Sequence, residues 1–97
     1  MTISIICELP AKPDAVEDLK NFLKEVLSDT RAFKGCQQML VVQEQEKPER
    51  FVIIERWDSR DDHLKYLAWR GERNEIQPAY KWLTSDPLIQ YFDDTNV

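Results

Sequence analysis

The sequence is poor in the residues that build several common kinds of site. Its 97 residues include two glycines, two cysteines and one histidine. A phosphate-binding loop needs closely spaced glycines and a zinc site needs clustered Cys and His, so we expect neither phosphate loop nor metal. Cys7 and Cys36 are far apart in sequence and lack C-x-x-C spacing. We expect two reduced thiols and a cytoplasmic protein.

The chain also lacks an excess of positive charge and a long apolar run. Acidic residues outnumber basic ones by 18 to 13, and the net charge is −5. Nucleic-acid binding needs clustered Lys and Arg, so nucleic acid is not an expected partner. No segment reaches the roughly 20 apolar residues that cross a bilayer, and we expect no membrane span. The first ten residues alternate like a strand and do not resemble a signal peptide.

Apolar periodicity and turn residues predict a β-α-β-β-α-β order within a single domain over residues 1–97. The four strands are predicted over 2–9, 36–45, 50–57 and 88–92. The first helix is predicted over 13–29 with Pro13 in its first turn. The second begins at the N-cap Ser59, and a further helical turn crosses Pro78. In the second helix we expect an apolar stripe of Leu64, Leu67 and Ala68 to face the core.

This order defines an α+β, ferredoxin-like fold with a four-stranded antiparallel sheet. Right-handed crossovers place strands one and three in the centre, which separates Cys7 from Cys36. Strand three is apolar on both parities, so both sheet faces need covering, although two helices cover only one. We therefore expect the open face to pair with a second copy in a homodimer.

Several local motifs resemble those of the antibiotic biosynthesis monooxygenase family, which includes quinol monooxygenase-like proteins. They are Lys12-Pro13 before the first helix, Lys34-Gly35-Cys36 before strand two, the run Phe51–Ser59 with its Glu-x-Trp, and the segment Tyr66–Arg70. The resemblance implies a dimeric α+β barrel with a pocket between sheet and helices. It also implies a monooxygenase that oxidises an aromatic phenol, quinol or polyketide-like substrate with molecular oxygen and no cofactor.

The chain departs from that family at one position. Many members carry a His nine residues after the strand-three Trp, where this chain has Tyr66, and its own His63 follows Trp57 by six residues. Haem-degrading relatives need an axial His near Ile76, which the sequence lacks, so haem degradation is not expected. A non-catalytic dimeric domain that binds a small apolar ligand remains an alternative, as does a structural dimer without a useful pocket.

The candidate catalytic residues are His63, Tyr66 and Glu55. His63 is either a general base or an exposed residue of the helix's first turn. Tyr66 either donates a hydrogen bond to a substrate oxygen or is a half-buried aromatic residue. Glu55 is a carboxylate within an apolar strand, so it is either a functional group or the ion-pair partner of Arg70 or Arg56, from this chain or another.

The candidate substrate-binding residues are Trp57, Trp69 and Arg70. Trp57 either stacks on an aromatic substrate or belongs to the core or an interface. Trp69 and Arg70 either close a pocket or lie on the dimer surface. A cavity of about 300 Å³ or more, lined by such residues, would favour an enzyme or a ligand-binding domain over a purely structural dimer.

Overall fold

Four strands and two α-helices follow one another in the predicted order. A computed structural model describes residues 2–97. The elements are β1 (Ile3–Pro10), α1 (Val16–Val26), β2 (Cys36–Gln43), β3 (Arg50–Trp57), α2 (Arg60–Glu72) and β4 (Leu88–Asp93). A 3-10 helix, Thr30–Ala32, follows α1, and a second, Gln77–Trp82, takes the place of the predicted turn across Pro78.

The strands form one antiparallel sheet in the order β2-β3-β1-β4, so β1 and β3 are central as predicted. Glu55 of β3 lies opposite Ile5 of β1 and Met39 of β2. The ferredoxin-like α+β fold is thereby confirmed. Cys7 and Cys36 lie on strands separated by β3, and both are free thiols. Cys7 is buried, whereas Cys36 is only half-buried.

The first helix is shorter than the sequence indicated. Pro13 and Asp14 form a turn before the helix, and α1 begins at Val16 after an N-cap residue, Ala15, without a side-chain cap. The sequence analysis placed Pro13 in the first turn, where its missing N–H costs no hydrogen bond. In the structure Pro13 instead lies in the turn that precedes the helix. The helix ends at Val26, three residues before the predicted end at Asp29.

The start of α2 is fixed by two local contacts. Ser59 is the N-cap, as predicted, and its hydroxyl accepts a hydrogen bond from the Asp62 N–H at 3.1 Å. Gly35 lies against the same turn with a φ of +93°, and a Cβ there would sit 2.6 Å from the Asp62 Cβ. A glycine is therefore required at position 35, both for its backbone conformation and for space.

The inward face of α2 differs from the predicted stripe. Leu64 is 46% exposed and Ala68 is exposed, while Leu67 is only partly buried. The buried residues are instead His63, Tyr66 and Arg70. The prediction of a Leu64–Leu67–Ala68 stripe is therefore wrong. His63, Tyr66 and Arg70 can be buried instead because their polar atoms have partners inside the molecule, as described below.

The two faces of the sheet are covered unequally. The helices pack on the face that carries Ile5, Leu9, Phe51, Ile53 and Trp57, which form part of the hydrophobic core. On the opposite face, within residues 2–97, no helix covers the sheet. That face presents a set of apolar side chains from all four strands: Ile6, Leu40, Val42, Val52, Ile54, Leu88 and Phe92. The predicted open apolar face is therefore present, and the homodimer it implies stays a prediction.

Candidate functional site

A cavity of about 130 Å³ lies between the helix-covered face of the sheet and the helices. Its wall is mostly apolar, and residues of all four strands and both α-helices line it. Four of the six candidate residues line it: Glu55, His63, Tyr66 and Arg70. The cavity is smaller than the 300 Å³ that the sequence analysis set as typical of a ligand pocket, yet the interior is not fully packed.

Glu55 is the acidic group at the sheet side of this cavity. It is 5% exposed, and burial raises its pKa to about 7 even though a hydrogen bond opposes the rise. That bond comes from Trp57, whose Nε1 donates to Oε1 at 2.9 Å. With one donor and little water, the ionised carboxylate loses most of its solvation, so proton uptake becomes favourable near neutral pH.

His63 faces the same carboxylate from α2. Its Nε2 lies 3.6 Å from Glu55 Oε1, and its Nδ1 lies 2.9 Å from the hydroxyl of Tyr91. Burial lowers the pKa of His63 to about 4, and the charge of Arg60 adds to this effect. At pH 7 the imidazole is therefore neutral, and the contact with Glu55 is not an ion pair.

The interpretation of His63 as an exposed first-turn residue is wrong. Its side chain is 2% exposed and its ring meets the Trp57 ring at 5.3 Å between centroids. The side chain is held inward by its contacts with Trp57 and with the Tyr91 hydroxyl. The expected arginine partner of Glu55 is also wrong within this chain: Arg56 pairs with Asp94, and Arg70 pairs with Asp29 and Glu75.

Arg70 lies at the helix side of the cavity, and every nitrogen of its guanidinium donates a hydrogen bond. Its Nε donates to the Tyr66 hydroxyl at 3.0 Å, and Nη1 donates to Glu75 at 3.0 Å. Its Nη2 donates to Asp29, to Thr30 and to the Val26 carbonyl. Burial disfavours its charge, but the hydrogen bonds outweigh this cost and raise the pKa of Arg70. We call Arg70, Tyr66, Thr30, Asp29 and Glu75 the arginine cluster.

Tyr66 contributes its ring to the cavity and its hydroxyl to the arginine cluster. The hydroxyl lies 2.7 Å from Thr30 Oγ1 and accepts from Arg70. Burial raises the pKa of Tyr66, despite the hydrogen bonds with Thr30 and Arg70, so the phenol stays protonated. Because both neighbours hold the hydroxyl, the part of Tyr66 that is free to meet a ligand is the ring.

The two tryptophans lie outside the cavity wall. Trp57 is 0% exposed and supports Glu55 from the core. Trp69 is half-buried against Phe33, with their ring centroids 5.2 Å apart, and the guanidinium of Arg73 lies over its indole. Trp57 therefore contacts the site through Glu55 and Trp69 through Arg70, and their contact with substrate stays a prediction.

Four polar residues of the site, Tyr91, Asp29, Thr30 and Glu75, were missing from the sequence analysis. Tyr91 could have been found, because it shares the parity of Ile89 on β4 and so points to the helix-covered face. Asp29 and Thr30 lie in an irregular connection after α1, where no periodicity predicts a side chain's direction. Their role depends on Arg70, which is 40 and more residues away in sequence.

Within the part of the chain that the structure describes, no group of three or more His, Cys, Asp and Glu side chains could hold a metal ion. Over residues 2–97 no helix is long and apolar enough to cross a membrane. Every buried side-chain nitrogen and oxygen of these residues has a hydrogen-bond partner. The predicted absence of a cofactor stays a prediction.

Comparisons with known proteins agree with this architecture. The family model described as "Antibiotic biosynthesis monooxygenase" matches residues 2–71. No curated protein matches the chain. The chain resembles the crystal structure of a conserved protein from Methanosarcina mazei Go1, with a TM-score of 0.89, 20% identity, and coverage of 98% of this chain and 94% of that one.

Two further solved structures share the fold. One is described as an antibiotic biosynthesis monooxygenase, with a TM-score of 0.87, 20% identity, and coverage of 96% of this chain and 98% of that one. The other is SnoaB from Streptomyces nogalater, described as a cofactor-independent oxygenase. Its TM-score is 0.83 at 14% identity, with 97% of this chain and 93% of that one covered. At these identities the likeness shows the fold alone.

Proposed function

Because the chain belongs to the antibiotic biosynthesis monooxygenase family, we propose that it is a cofactor-independent monooxygenase. In this proposal it oxidises an aromatic phenol, quinol or polyketide-like substrate with molecular oxygen. The observation that carries the proposal is Glu55, a buried carboxyl that faces an apolar cavity and whose pKa is raised to about 7 by burial. A general base works best when its pKa lies near the working pH.

The proposed reaction begins when Glu55 removes the phenolic proton of the substrate. The resulting phenolate passes one electron to oxygen, and the two radicals combine to form a carbon–oxygen bond. The proton held by Glu55 then returns to the peroxide. The ring carbon that bears the hydroperoxide loses its hydrogen as a proton, the O–O bond breaks, and the departing hydroxide leaves with that proton as water. For a quinol, one oxygen atom enters the product as hydroxyquinone and the other leaves in water. The apolar wall excludes solvent, which protects the electron-rich phenolate from reprotonation.

His63 and Tyr66 have supporting parts in this mechanism. A neutral His63 whose Nδ1 accepts from Tyr91 carries its proton on Nε2, which faces Glu55. It orients the carboxylate without adding a charge that would lower the carboxyl pKa. The Tyr66 ring forms one wall for the substrate ring, since Thr30 and Arg70 hold its hydroxyl.

We place this activity in a cytoplasmic homodimer. The open sheet face supports the dimer, because Leu40, Leu88 and Phe92 are 46%, 48% and 45% exposed on a surface whose other apolar residues are Ile and Val. Light scattering should report a dimer that Leu40→Glu dissociates. The matched control is Leu64→Glu on α2, which is also 46% exposed but lies away from this face and should leave the dimer intact. A wild-type monomer at micromolar concentration contradicts the homodimer.

Oxygen uptake with a panel of phenols, quinols and anthrones tests the activity. We expect wild-type turnover that persists with a chelator, and a loss of about 100-fold or more in Glu55→Gln, because the amide cannot accept the proton. The control is Glu8→Gln, the same change on the neighbouring strand, at a residue of the open face that pairs with Arg50. The absence of turnover on the whole panel would reject the activity, and an unchanged rate in Glu55→Gln would remove Glu55 from the mechanism.

A second candidate is a dimeric domain that binds a small apolar ligand without chemistry. The predominantly apolar wall of the cavity supports it, since apolar ligands need few polar contacts. Under this alternative the panel compounds bind, with no oxygen uptake, and Glu55→Gln binds them as tightly as the wild type does.

A further inference from the structure

The cavity is small for the polycyclic compounds in the proposed substrate range. Its volume is about 130 Å³, whereas an engineered apolar cavity of about 150 Å³ holds one benzene molecule. Pockets for drug-sized ligands begin near 300 Å³. We propose that the cavity accepts a single aromatic ring with a phenolic hydroxyl and excludes fused two- and three-ring compounds. This inference rests on the proposed function and narrows its substrate class.

The walls of the cavity belong to elements that cannot easily move apart. They include Met39 on β2, Ile53 on β3, Leu23 on α1, Leu67 on α2 and Ala79 in the second 3-10 helix. Each of these elements packs against the central strands or against the others. Protein interiors are close-packed, so an additional fused ring would have to displace whole elements rather than a single side chain.

The segment that closes one side of the cavity is fastened at both ends. At its start, Arg70 donates to the Glu75 carboxylate at 3.0 Å, and the Glu75 N–H donates to the Arg70 carbonyl at 3.1 Å. At its end, the Lys12 N–H donates to the Trp82 carbonyl at 2.7 Å, and the Thr84 N–H donates to the Pro10 carbonyl at 2.8 Å. Residues 76–83 therefore form a fixed wall rather than a loose flap.

The polar groups of the wall also limit which substituents the aromatic ring of the ligand can carry. Two carboxylates line the cavity. Glu75 is bonded to Arg70 and Arg73, whereas Glu55 has one donor, Trp57, and is therefore the acceptor that we assign to a phenolic hydroxyl. The donors of Arg70 are already taken by the arginine cluster. Burial raises the pKa of the Cys7 thiol to about 12, so it stays neutral. Among the described residues that line the cavity, no cationic group is left for a carboxylate or phosphate on the ligand, which favours an uncharged phenol, catechol or hydroquinone.

Anaerobic calorimetry with phenol, 1-naphthol and 9-phenanthrol tests the size limit without turnover. Larger rings have more apolar area and would bind more tightly in a site without a size limit. We expect the opposite order, with 1-naphthol at least 10-fold weaker than phenol and no measurable binding of 9-phenanthrol. Equal or tighter binding of the larger rings, or no binding of phenol, would overturn the inference.

A pair of matched leucine variants sharpens the test. Leu67→Ala removes a wall residue and should improve 1-naphthol binding at least 10-fold relative to phenol. Leu64→Ala makes the same change one turn earlier on the exposed side of α2 and should leave both affinities unchanged. Ile76→Ala, in the fixed wall, serves as a second enlarging variant if Leu67→Ala does not fold. An unchanged ratio in an enlarging variant that folds contradicts the inference.

Oxygen uptake separates this inference from the proposed function. Size-ordered binding with no oxygen uptake rejects the monooxygenase but supports the single-ring limit. Wild-type oxygen uptake on two- or three-ring phenols supports the monooxygenase and overturns the single-ring limit.

Discussion

Glu55 and Arg70 are both buried and line the same cavity, but they differ in how many hydrogen-bond partners surround their charged groups. Arg70 has partners on every nitrogen of its guanidinium, two of them carboxylates. Glu55 has one hydrogen bond, from Trp57, and a neutral histidine beside it. The structure thus compensates one buried charge almost completely and leaves the other largely uncompensated.

The difference follows from what each group can do when it loses water. A guanidinium cannot give up its proton in a protein, so a buried arginine needs partners. A carboxyl can take up a proton, and the raised pKa of Glu55, caused by burial, reflects this. Arg70 is therefore suited to holding together the end of α1, the connection after it, α2 and the segment that follows α2, whereas Glu55 is suited to proton transfer.

The largest effect on stability should come from the arginine cluster. Arg70→Ala removes the donor shared by Tyr66, Thr30 and Asp29 and leaves Glu75 with Arg73 alone. We expect the free energy of unfolding to fall by roughly 3–5 kcal/mol. The matched control is Arg73→Ala, which also removes a guanidinium bonded to Glu75, but from an exposed position, and should change stability little. Urea denaturation measures both. Equal losses in the two variants would contradict the structural role of Arg70.

The pH dependence of stability should reveal Glu55 and His63 separately. The folded chain keeps a proton on Glu55 up to about pH 7, while the unfolded chain releases it near 4.5, so Glu55 lowers stability as pH rises through this window. The unfolded chain protonates His63 below about 6.5 and the folded chain only near 4, so His63 raises stability as pH rises. Between pH 4.5 and 6.5 the two effects oppose each other.

Glu55→Gln should remove the loss of stability that Glu55 causes as the pH rises, and leave the effect of His63. The free energy of unfolding of the variant should rise by roughly 3 kcal/mol more than that of the wild type between pH 4.5 and 7. Urea titrations at several pH values measure it, with Glu8→Gln as the control. Because His63 is the only histidine, its imidazole NMR signals report its pKa directly. Parallel pH profiles for Glu55→Gln and the wild type would show that Glu55 has an ordinary pKa.

The smallest effect is expected at Tyr91. Tyr91→Phe removes the hydroxyl that lies 2.9 Å from His63 Nδ1 and should cost about 1 kcal/mol of stability. It should also change the balance between the two neutral tautomers of His63, which nitrogen NMR of this one imidazole measures. Tyr80→Phe, at a residue that is 39% exposed, is the control and should leave the imidazole spectrum unchanged. An unaltered tautomer balance in Tyr91→Phe would show that Tyr91 does not orient His63.

Much of the fold could be predicted because the order of strands and helices, together with the handedness of their crossovers, fixes the sheet. Right-handed crossovers placed β1 and β3 correctly in the centre, and the apolar run of β3 singled out Glu55 as an unusual carboxylate within it. The inward face of α2 could not be predicted in this way. Hydropathy favoured Leu64 and Ala68, but His63, Tyr66 and Arg70 are the buried residues because their polar ends are satisfied by β3, β4 and the connection after α1.

The sequence by itself determined the order of elements, the sheet with one uncovered apolar face, and the presence of an acidic residue in the core. These depend on local periodicity, which each segment carries within itself. Only the tertiary structure decided that Glu55 meets a neutral histidine rather than an arginine, and that Arg70 is absorbed by Asp29 and Glu75. Whether a buried charge is compensated depends on groups brought together from distant segments, and no local pattern encodes that.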